Sequence, residues 1–475
     1  MLLKNLISTT SNLGDINITG ITCDSREVKE GYAFVCINGW KMDGHDFANK
    51  ANESGAAVII AERDLGLSNQ LVVEDTHIAF ATMSANWFDN PAKKIKLIGV
   101  TGTNGKTSVT YMIKAALEQC GEKVGLIGTI QNMIGDQTLA SKNTTPSAYE
   151  LNSLLDLMVK SGCTCAVMEA SSHALDQKRI YGMEFEVAVF TNLTQDHLDY
   201  HQTMDNYLEA KRTLFGMCKT AVINADDKYA GRIMRNLSCK IVTVSAENDN
   251  SVYSAKSIKY RPDGVNYQLV GYGTINPIKL KTGGKFSVYN SMSAVVSCLE
   301  MGYAPEQVAP AIAALDGVKG RAEVVPCDKD FTIIIDYAHT PDGLENILNT
   351  FKDCEKNRLI AVFGCGGDRD KDKRPKMGRT AAKLADFVIV TSDNPRTEAP
   401  ASIIDDILMG MKNISTPYVV IEDRIEAIKY AIANAKTGDI IVLAGKGHET
   451  YQILADKTIH LDEREVVAEA LAQLK

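Results

Sequence analysis

The run Gly102-Thr103-Asn104-Gly105-Lys106-Thr107-Ser108 follows an apolar stretch, Ile95 to Val100, and leads into a segment with helical periodicity. A strand, a glycine turn and a helix start in that order form a phosphate site. Glycines let backbone N–H groups turn toward phosphate oxygens, Lys106 brings a cation to them, and the Thr107 hydroxyl suits the magnesium that accompanies a nucleoside triphosphate. The usual spacing fails at one place, because Val100 stands where the first glycine of the pattern belongs. The alternative is a plain glycine turn between strand and helix, with Lys106 in solvent. Val109, Met112, Ile113, Ala116 and Leu117 recur at helical spacing, and Gly121 stands where a helix stop belongs.

Other residues could extend that chemistry. Glu169 closes the apolar run Cys165 to Ala170, where a carboxylate completes a magnesium shell, and Asp196-His197 follows the run Val187 to Leu193 in the same way. A lone histidine in such a place is more often structural. Lys211, inside Tyr207-Leu208-Glu209-Ala210-Lys211-Arg212-Thr213-Leu214-Phe215, reads on residue type alone as a solvated lysine. Arg369 and Arg396 each stand in a polar loop beside aspartate or glycine. Each can grip a carboxylate with a planar fork, and Pro395 stiffens the second loop. Ordinary surface pairs with Asp368, Asp370 or Asp393 are the alternative reading.

These residues need elements to hold them, and the pattern is α/β with three domains. Residues 1–88 carry short mixed segments (Tyr32 to Ile37, Ala56 to Ala61, Gln70 to Val73) and end at the turn-like Asp89-Asn90-Pro91. Residues 89–320 alternate apolar strands, including Thr220 to Asn224 and Ile241 to Ser245, with helical patterns, as a parallel sheet requires. The tract Tyr253 to Leu280 breaks the alternation and reads as an antiparallel insertion on that sheet. Residues 321–475 form a second, Rossmann-like sheet from Phe331 to Ile335, Leu359 to Phe363, Phe387 to Thr391 and Ile440 to Ala444. Ligands collect beyond the carboxyl ends of such strands. Here those ends carry Asp336, the Gly364-to-Arg369 loop, Asp393-Asn394-Pro395-Arg396 and Gly445-Lys446-Gly447-His448-Glu449.

The chain has 475 residues, 45% of them apolar and 23% charged, ordinary values for a globular enzyme. A net charge of −8 argues against nucleic acid as a partner. Eleven cysteines, an odd number without paired metal-type spacing, read as reduced thiols in a cytoplasmic protein. The opening MLLKNLISTTSNLG is broken by Lys4 and Asn5, and no segment approaches the roughly 18 apolar residues of a membrane span, so no membrane insertion is expected.

The ordered segments TGTNGKTS, MEASSHALDQKR, FTNLTQDHLDYH, EAKRTLF, NADD, GRAE, DYAHTPD, FGCGGDRDKDKRP, DNPR and AGKGHE, with Asp24-Ser25-Arg26 near the start, resemble the Mur ligases of bacterial cell-wall synthesis. Within that family the likeness is to the branch adding the third stem-peptide residue. The resemblance implies an N-terminal domain for a UDP-sugar, a central ATPase domain and a C-terminal domain for the incoming amino acid. It implies ATP and Mg2+ as cofactors, held at Gly102 to Ser108, with Asn290, Arg321 and Asp336 also on the nucleotide. It implies a carbamylated Lys211, which with His197 would hold one magnesium while Thr107 and Glu169 hold another. UDP-N-acetylmuramoyl-L-Ala-D-Glu would be met by Cys23, Ser25, Trp40, Lys41, Met42, Asn143, Thr144, Thr145, Ser171, Gln177 and Arg179.

DNPR is similar to the family signature for meso-diaminopimelate, whose extra distal carboxylate Arg396 could pair with, where lysine would leave it alone. Arg369, Asp393, Asn394, Pro395, Arg396, Gly445 and Glu449 would form that pocket, Glu449 meeting the distal ammonium. The implied reaction is amide ligation through an acyl phosphate, by a monomer, with Lys106, Lys211, His197 and Glu169 as its catalytic set. One departure is Ser287, where relatives carry Asn or His. Another ligase of the superfamily, such as folylpolyglutamate synthetase or a different Mur enzyme, is one rival reading, disfavoured by DNPR and the N-terminal Asp24-Ser25-Arg26; a non-ligating P-loop ATPase is the other, and it offers no use for Arg396.

Overall fold

The computed structural model describes residues 1–39, 42–261, 264–352 and 356–474. Three sheets carry the architecture, one in each of three domains. The first has four parallel strands, Gly20–Thr22, Tyr32–Val35, Val58–Ala61 and Gln70–Val72. Its core, with Leu3, Val35, Ile60 and Met83, packs under the helix Thr76–Trp87. The Asp75 side chain caps that helix by accepting from the Ile78 N–H at 2.9 Å.

The second sheet has eleven strands. Its middle is parallel, in the order Lys240–Ser245, Cys218–Asn224, Phe185–Phe190, Lys96–Thr101, Cys165–Glu169 and Val124–Ile127. Both faces are covered, so these strands read as unbroken apolar runs, and Cys165–Glu169 is buried at every position. The tract 253–280 is antiparallel as expected. It is no separate insertion, however: Tyr253–Arg261 pairs in parallel with Lys240–Ser245, so Gly264–Gly271 and Thr274–Leu280 become the sheet's edge. The strands Gln131–Ile134 and Gln137–Ala140 close the other edge. The sequence pattern missed both because they are short and polar.

The third sheet has six strands in the order Glu323–Val325, Thr332–Asp336, Ile440–Ala444, Leu359–Phe363, Phe387–Val390 and Tyr418–Val420, the first antiparallel and the rest parallel. The carboxyl ends of its inner strands point their loops toward the glycine turn of the second domain, and the chemistry lies between them. Among the described residues no helix is long and apolar enough to cross a membrane.

Candidate active site

The phosphate loop is built as its residue types require. Gly102 (φ +148°) and Gly105 (φ +89°) occupy conformations that side chains rarely adopt. A Cβ on Gly105 would also lie 2.5 Å from Asn290 Oδ1, which puts Asn290, on the helix Lys285–Glu300, against the loop. The helix Lys106–Gln119 starts there and stops just before Gly121, which is at φ +89°. Lys106 is not in solvent. Its Nζ donates to the carbonyls of Gly102 (2.9 Å) and Thr103 (2.8 Å), and burial lowers its pKa against the pull of Glu169. The loop, Glu169, Asp196, His197, Arg321, Tyr337 and His339 enclose a cavity of about 150 Å³.

Lys211 overturns the solvated reading. It is 1% exposed, its Nζ donates to the Gly102 carbonyl at 2.8 Å, and it lies 4.5 Å above the Tyr207 ring. Burial and the nearby Lys106 hold its pKa well below the ordinary lysine value, with Asp196 opposing, which favours the neutral amine. Two lysines therefore share one backbone carbonyl. The apolar run of the helix Met204–Arg212 (Tyr207, Leu208, Ala210) turns Lys211 inward with it.

His197 caps the helix Leu198–His201 at φ +54°, and its Nε2 is 3.4 Å from Asp196 Oδ2. Burial lowers the His197 pKa, leaving a neutral imidazole. Burial works against the Asp196 carboxylate, but its polar surroundings, with the Lys373 charge and the His197 N–H at 2.9 Å among them, prevail and keep it ionised. His173, 4.9 Å from His197 ring to ring, joins this group.

Glu169 is fixed by Thr129, whose N–H and hydroxyl each donate to one carboxylate oxygen at 2.9 Å. Thr129 also bonds Thr144 Oγ1 at 2.9 Å, and Thr145 Oγ1 donates to the Glu169 carbonyl at 2.7 Å. Ser171 N–H donates to Thr145 Oγ1 at 3.0 Å, and Arg179 Nη1 to the Thr145 carbonyl at 2.8 Å. Gln177 Oε1 accepts from Arg179 Nη2 at 2.6 Å. So Thr144, Thr145, Ser171, Gln177 and Arg179 form one bonded chain running out from Glu169. Cys23 is exposed yet crowded by surrounding protein, which raises its thiol to about 11, and Arg179 is among the charges it feels. Ser25 lies in the same turn, Asn143 lines a shallower hollow with Tyr149, and Met42 is 67% exposed. Trp40 and Lys41 lie outside the described residues.

A second cavity, about 240 Å³, opens beyond Asp196, His197, Tyr337 and His339, which line both spaces. Arg369, Asp393, Asn394, Arg396, Gly445 and Glu449 line its far side. Asn394 Nδ2 donates to Glu449 Oε2 at 2.9 Å, and the buried Lys446 donates to both Asn394 Oδ1 and Glu449 Oε2 at 3.1 Å. Gly445 (φ +120°) has no room for a Cβ, which would lie 2.6 Å from Asp393 Oδ2. Past Pro395, Arg396 sits at φ +53° and donates through Nη1 to the Gly367 carbonyl at 2.8 Å. Neither Arg369 nor Arg396 has a carboxylate within 4.0 Å among the described residues. The aspartates that might have claimed them are engaged elsewhere: Asp368 accepts from the Thr397 hydroxyl at 2.7 Å and Asp393 from the Asn394 N–H at 2.6 Å.

The junction draws on both domains. Arg321 Nη2 donates to Thr107 Oγ1 at 3.2 Å, and its guanidinium lies 4.6 Å from the Tyr337 ring centre. Asp336 stands behind the cavity, its carboxylate accepting from the N–H groups of Ala322 (2.6 Å) and Ala338 (2.8 Å), and burial raises it to about 6. Asn104 Nδ2 donates to Asp342 Oδ2 at 2.7 Å, and Lys376 Nζ to Gln195 Oε1 at 2.8 Å. Sequence reasoning passed over Tyr337, His339, Lys373 and Lys446, although all lie in strand-end loops or at the first turn after one.

The donors suit magnesium. It takes hard oxygens and borrows the rest of its shell from phosphates and water. The Thr107 hydroxyl and Glu169 carboxylate face the cavity; Lys211 as an amine offers no oxygen.

Three family models match in succession: the Mur ligase family catalytic domain over residues 17–93, the Mur ligase middle domain over 100–298, and the Mur ligase glutamate ligase domain over 320–447. The chain is 48% identical over 468 residues to UDP-N-acetylmuramoyl-L-alanyl-D-glutamate--2,6-diaminopimelate ligase 1 of Clostridium acetobutylicum, covering 97% of this chain and 96% of that one. A solved structure of a UDP-N-acetylmuramoyl-L-alanyl-D-glutamate--2,6-diaminopimelate ligase is 34% identical, with a TM-score of 0.72 and 99% of each chain covered. The MurF ligase of Thermotoga maritima in complex with ADP shares the fold at 19% identity, with a TM-score of 0.65 and coverage of 96% and 98%.

Proposed function

The chain belongs to the Mur ligase family and is an ATP-dependent carbon–nitrogen ligase, and from that premise we propose that it adds meso-diaminopimelate to UDP-N-acetylmuramoyl-L-Ala-D-Glu in the cytoplasm. The observation that carries the substrate choice is the second cavity. Two arginines without carboxylate partners, Arg369 and Arg396, face an acid, Glu449. A diamino dicarboxylate answers both signs, whereas lysine would leave one of the two guanidinium groups without an anion.

In the proposed reaction the D-glutamyl γ-carboxylate oxygen bonds to the γ-phosphorus of ATP as the bond to the ADP oxygen breaks. The amine nitrogen of diaminopimelate then adds to the acyl carbon, the bond from that carbon to the phosphate oxygen breaks, and the amine's proton passes to a base. Lys106 can swing from its two loop carbonyls onto phosphate oxygens, exchanging neutral acceptors for charged ones. Arg321 reaches the same cavity from the C-terminal domain. Thr107 and Glu169 would hold one magnesium, and His197 with a carbamylated Lys211 another. When bound, magnesium supplies charge neutralisation among phosphate oxygens. The neutral Lys211 amine is the form that can take up CO2, giving the oxygen donors it otherwise lacks.

Residues 1–88, 89–320 and 321–475 would serve the UDP-sugar, ATP and the amino acid respectively, in a monomer. The test is phosphate release with ATP, magnesium and the UDP-dipeptide, comparing meso-diaminopimelate with L-lysine and weighing the tripeptide product by mass. Turnover with diaminopimelate alone is expected. Preference for lysine would refute the pocket reading, and phosphate release without product would refute ligation.

A further inference from the structure

Lys373 opens the helix Lys373–Leu384 and is only 9% exposed. It lines the second cavity, at the side where Asp196 and His339 divide that cavity from the phosphate site. Its charge reaches both: it helps keep the Asp196 carboxylate ionised, and it adds to the burial that lowers His339. Among the described residues it has no ion pair within 4.0 Å and no hydrogen-bond partner. The adjacent Arg374, fully buried, holds two carboxylates, Glu398 at 2.8 Å and Asp406 at 2.9 Å.

Three costs coincide at Lys373. A cation largely covered by protein, with no counter-charge within 4.0 Å, keeps only the part of its hydration that the cavity it lines allows. A helix N-terminus already carries positive potential, where a lysine is unfavourable. Lysine is also a residue that fold stability alone almost never buries unpaired. Such a residue is explained by an anion that arrives with the substrates.

We propose that Lys373 neutralises the acyl phosphate and the oxyanion formed from it, acting as a further catalytic residue at the junction of the two cavities; this rests on the ligase reading above. Arg369 and Arg396 already offer one fork for each carboxylate of a diamino dicarboxylate. Lys373 stands instead in the second cavity, near enough to Asp196 and His339 in the dividing wall for both to feel its charge, next to where negative charge would pass from phosphoryl oxygens to the acyl oxygen and back to free phosphate.

The test uses Lys373→Gln and Lys373→Arg in the full chain. Acyl phosphate is trapped with hydroxylamine as the hydroxamate, from UDP-dipeptide, ATP and magnesium without amino acid, and tripeptide formation is measured separately. For Lys373→Gln, hydroxamate formation and kcat should both fall roughly 10²–10³-fold, the usual loss for one oxyanion donor, with the diaminopimelate KM and ADP affinity within about threefold of wild type. Lys373→Arg should recover part of the rate. The thermal midpoint of Lys373→Gln should equal or exceed that of wild type, because an unpaired buried charge has been removed. A diaminopimelate KM raised tenfold or more with normal hydroxamate formation would assign Lys373 to the amino acid and overturn the proposal. So would unchanged rates, or a lowered midpoint, which would mark a structural lysine. A wild type that makes tripeptide yet traps no hydroxamate would refute the acyl phosphate itself, and the assignment with it.

Discussion

Carbamylation needs a neutral amine, and that requirement gives Lys211 a distinctive pH signature. An ordinary lysine titrates near 10.4, so its neutral fraction at pH 7 is of order 10⁻³ and climbs roughly hundredfold by pH 9. Lys211 is 1% exposed, with its Nζ on the Gly102 carbonyl at 2.8 Å, and burial with Lys106 holds its pKa well below that of an ordinary lysine. Its neutral fraction should then exceed that of an ordinary lysine at pH 7 and climb less steeply with pH. At fixed dissolved CO2, the rate at which CO2-depleted protein takes up carbon-13-labelled bicarbonate should rise far less than roughly hundredfold between pH 7 and 9. The carbamate signal is read by NMR, and the return of ligase activity should follow it. A hundredfold climb would show an ordinary ammonium at Lys211 and refute the argument from burial. Lys211→Ala should give no such signal and almost no ligation, with partial rescue by formate, and full activity in that variant would remove Lys211 from the mechanism.

Arg396→Lys should raise the diaminopimelate KM roughly 10–100-fold, the worth of a charged hydrogen bond, while the ATP KM stays put; equal rises in both would point to misfolding. Asp342→Ala removes the acceptor that Asn104 meets at 2.7 Å across the domains. The ratio of closed to open protein should fall about fivefold for a loss of about 1 kcal/mol, read as a larger radius by small-angle scattering and higher KM values for both ATP and diaminopimelate. Stability should also fall in mild acid. Burial holds His201 down to about 4 and His448 down to about 3, so below about pH 6.5 the unfolded chain binds protons the folded one refuses. Asp336, raised to about 6 by burial, works the other way, regaining stability as pH falls through that value. At pH 5.5 each histidine removes roughly 1 kcal/mol and Asp336 returns somewhat less than one histidine removes, so the net change against pH 7.5 is a loss on the order of 1–2 kcal/mol. A thermal midpoint that is flat or higher at pH 5.5 would contradict this sign.

The phosphate loop was legible because its chemistry is local: two glycines, a lysine and a hydroxyl within seven residues need only a strand before and a helix after. The inner strands were legible for a related reason, since burial on both faces removes every polar residue from Ile440–Ala444 or Leu359–Phe363. Lys211 was legible only through family likeness, because nothing along its helix says that the face holding Tyr207 and Leu208 also swallows a lysine. Lys373 was hidden for the opposite reason: within GDRDKDKRP it looks like one charge among many, yet Lys371 beside it is exposed and paired with Glu398 while Lys373 is buried. Contacts such as Asn104 with Asp342 join residues 238 apart and have no sequence signal.

The wall between the cavities explains why two domains must meet before either half of the chemistry can run. Asp196 and His197 come from the central domain, Tyr337 and His339 from the C-terminal one, and each cavity is lined by all four. Pull the domains apart and the phosphate site loses Arg321, Tyr337 and His339, while the amino-acid site loses the face that separates it from phosphate. His339, whose Nε2 is 3.9 Å from Asp196, and Lys373 belong to the C-terminal side, so the central carboxylate loses a polar neighbour and a cation as well. Closure thus does two things at once. In the proposed reaction it would add Arg321 to the surround of the phosphoryl oxygens and set the amine-binding cavity beside the carbon to be activated. An acyl phosphate formed there would lie adjacent to its nucleophile, which is the geometry a ligase needs and an ATP hydrolase does not.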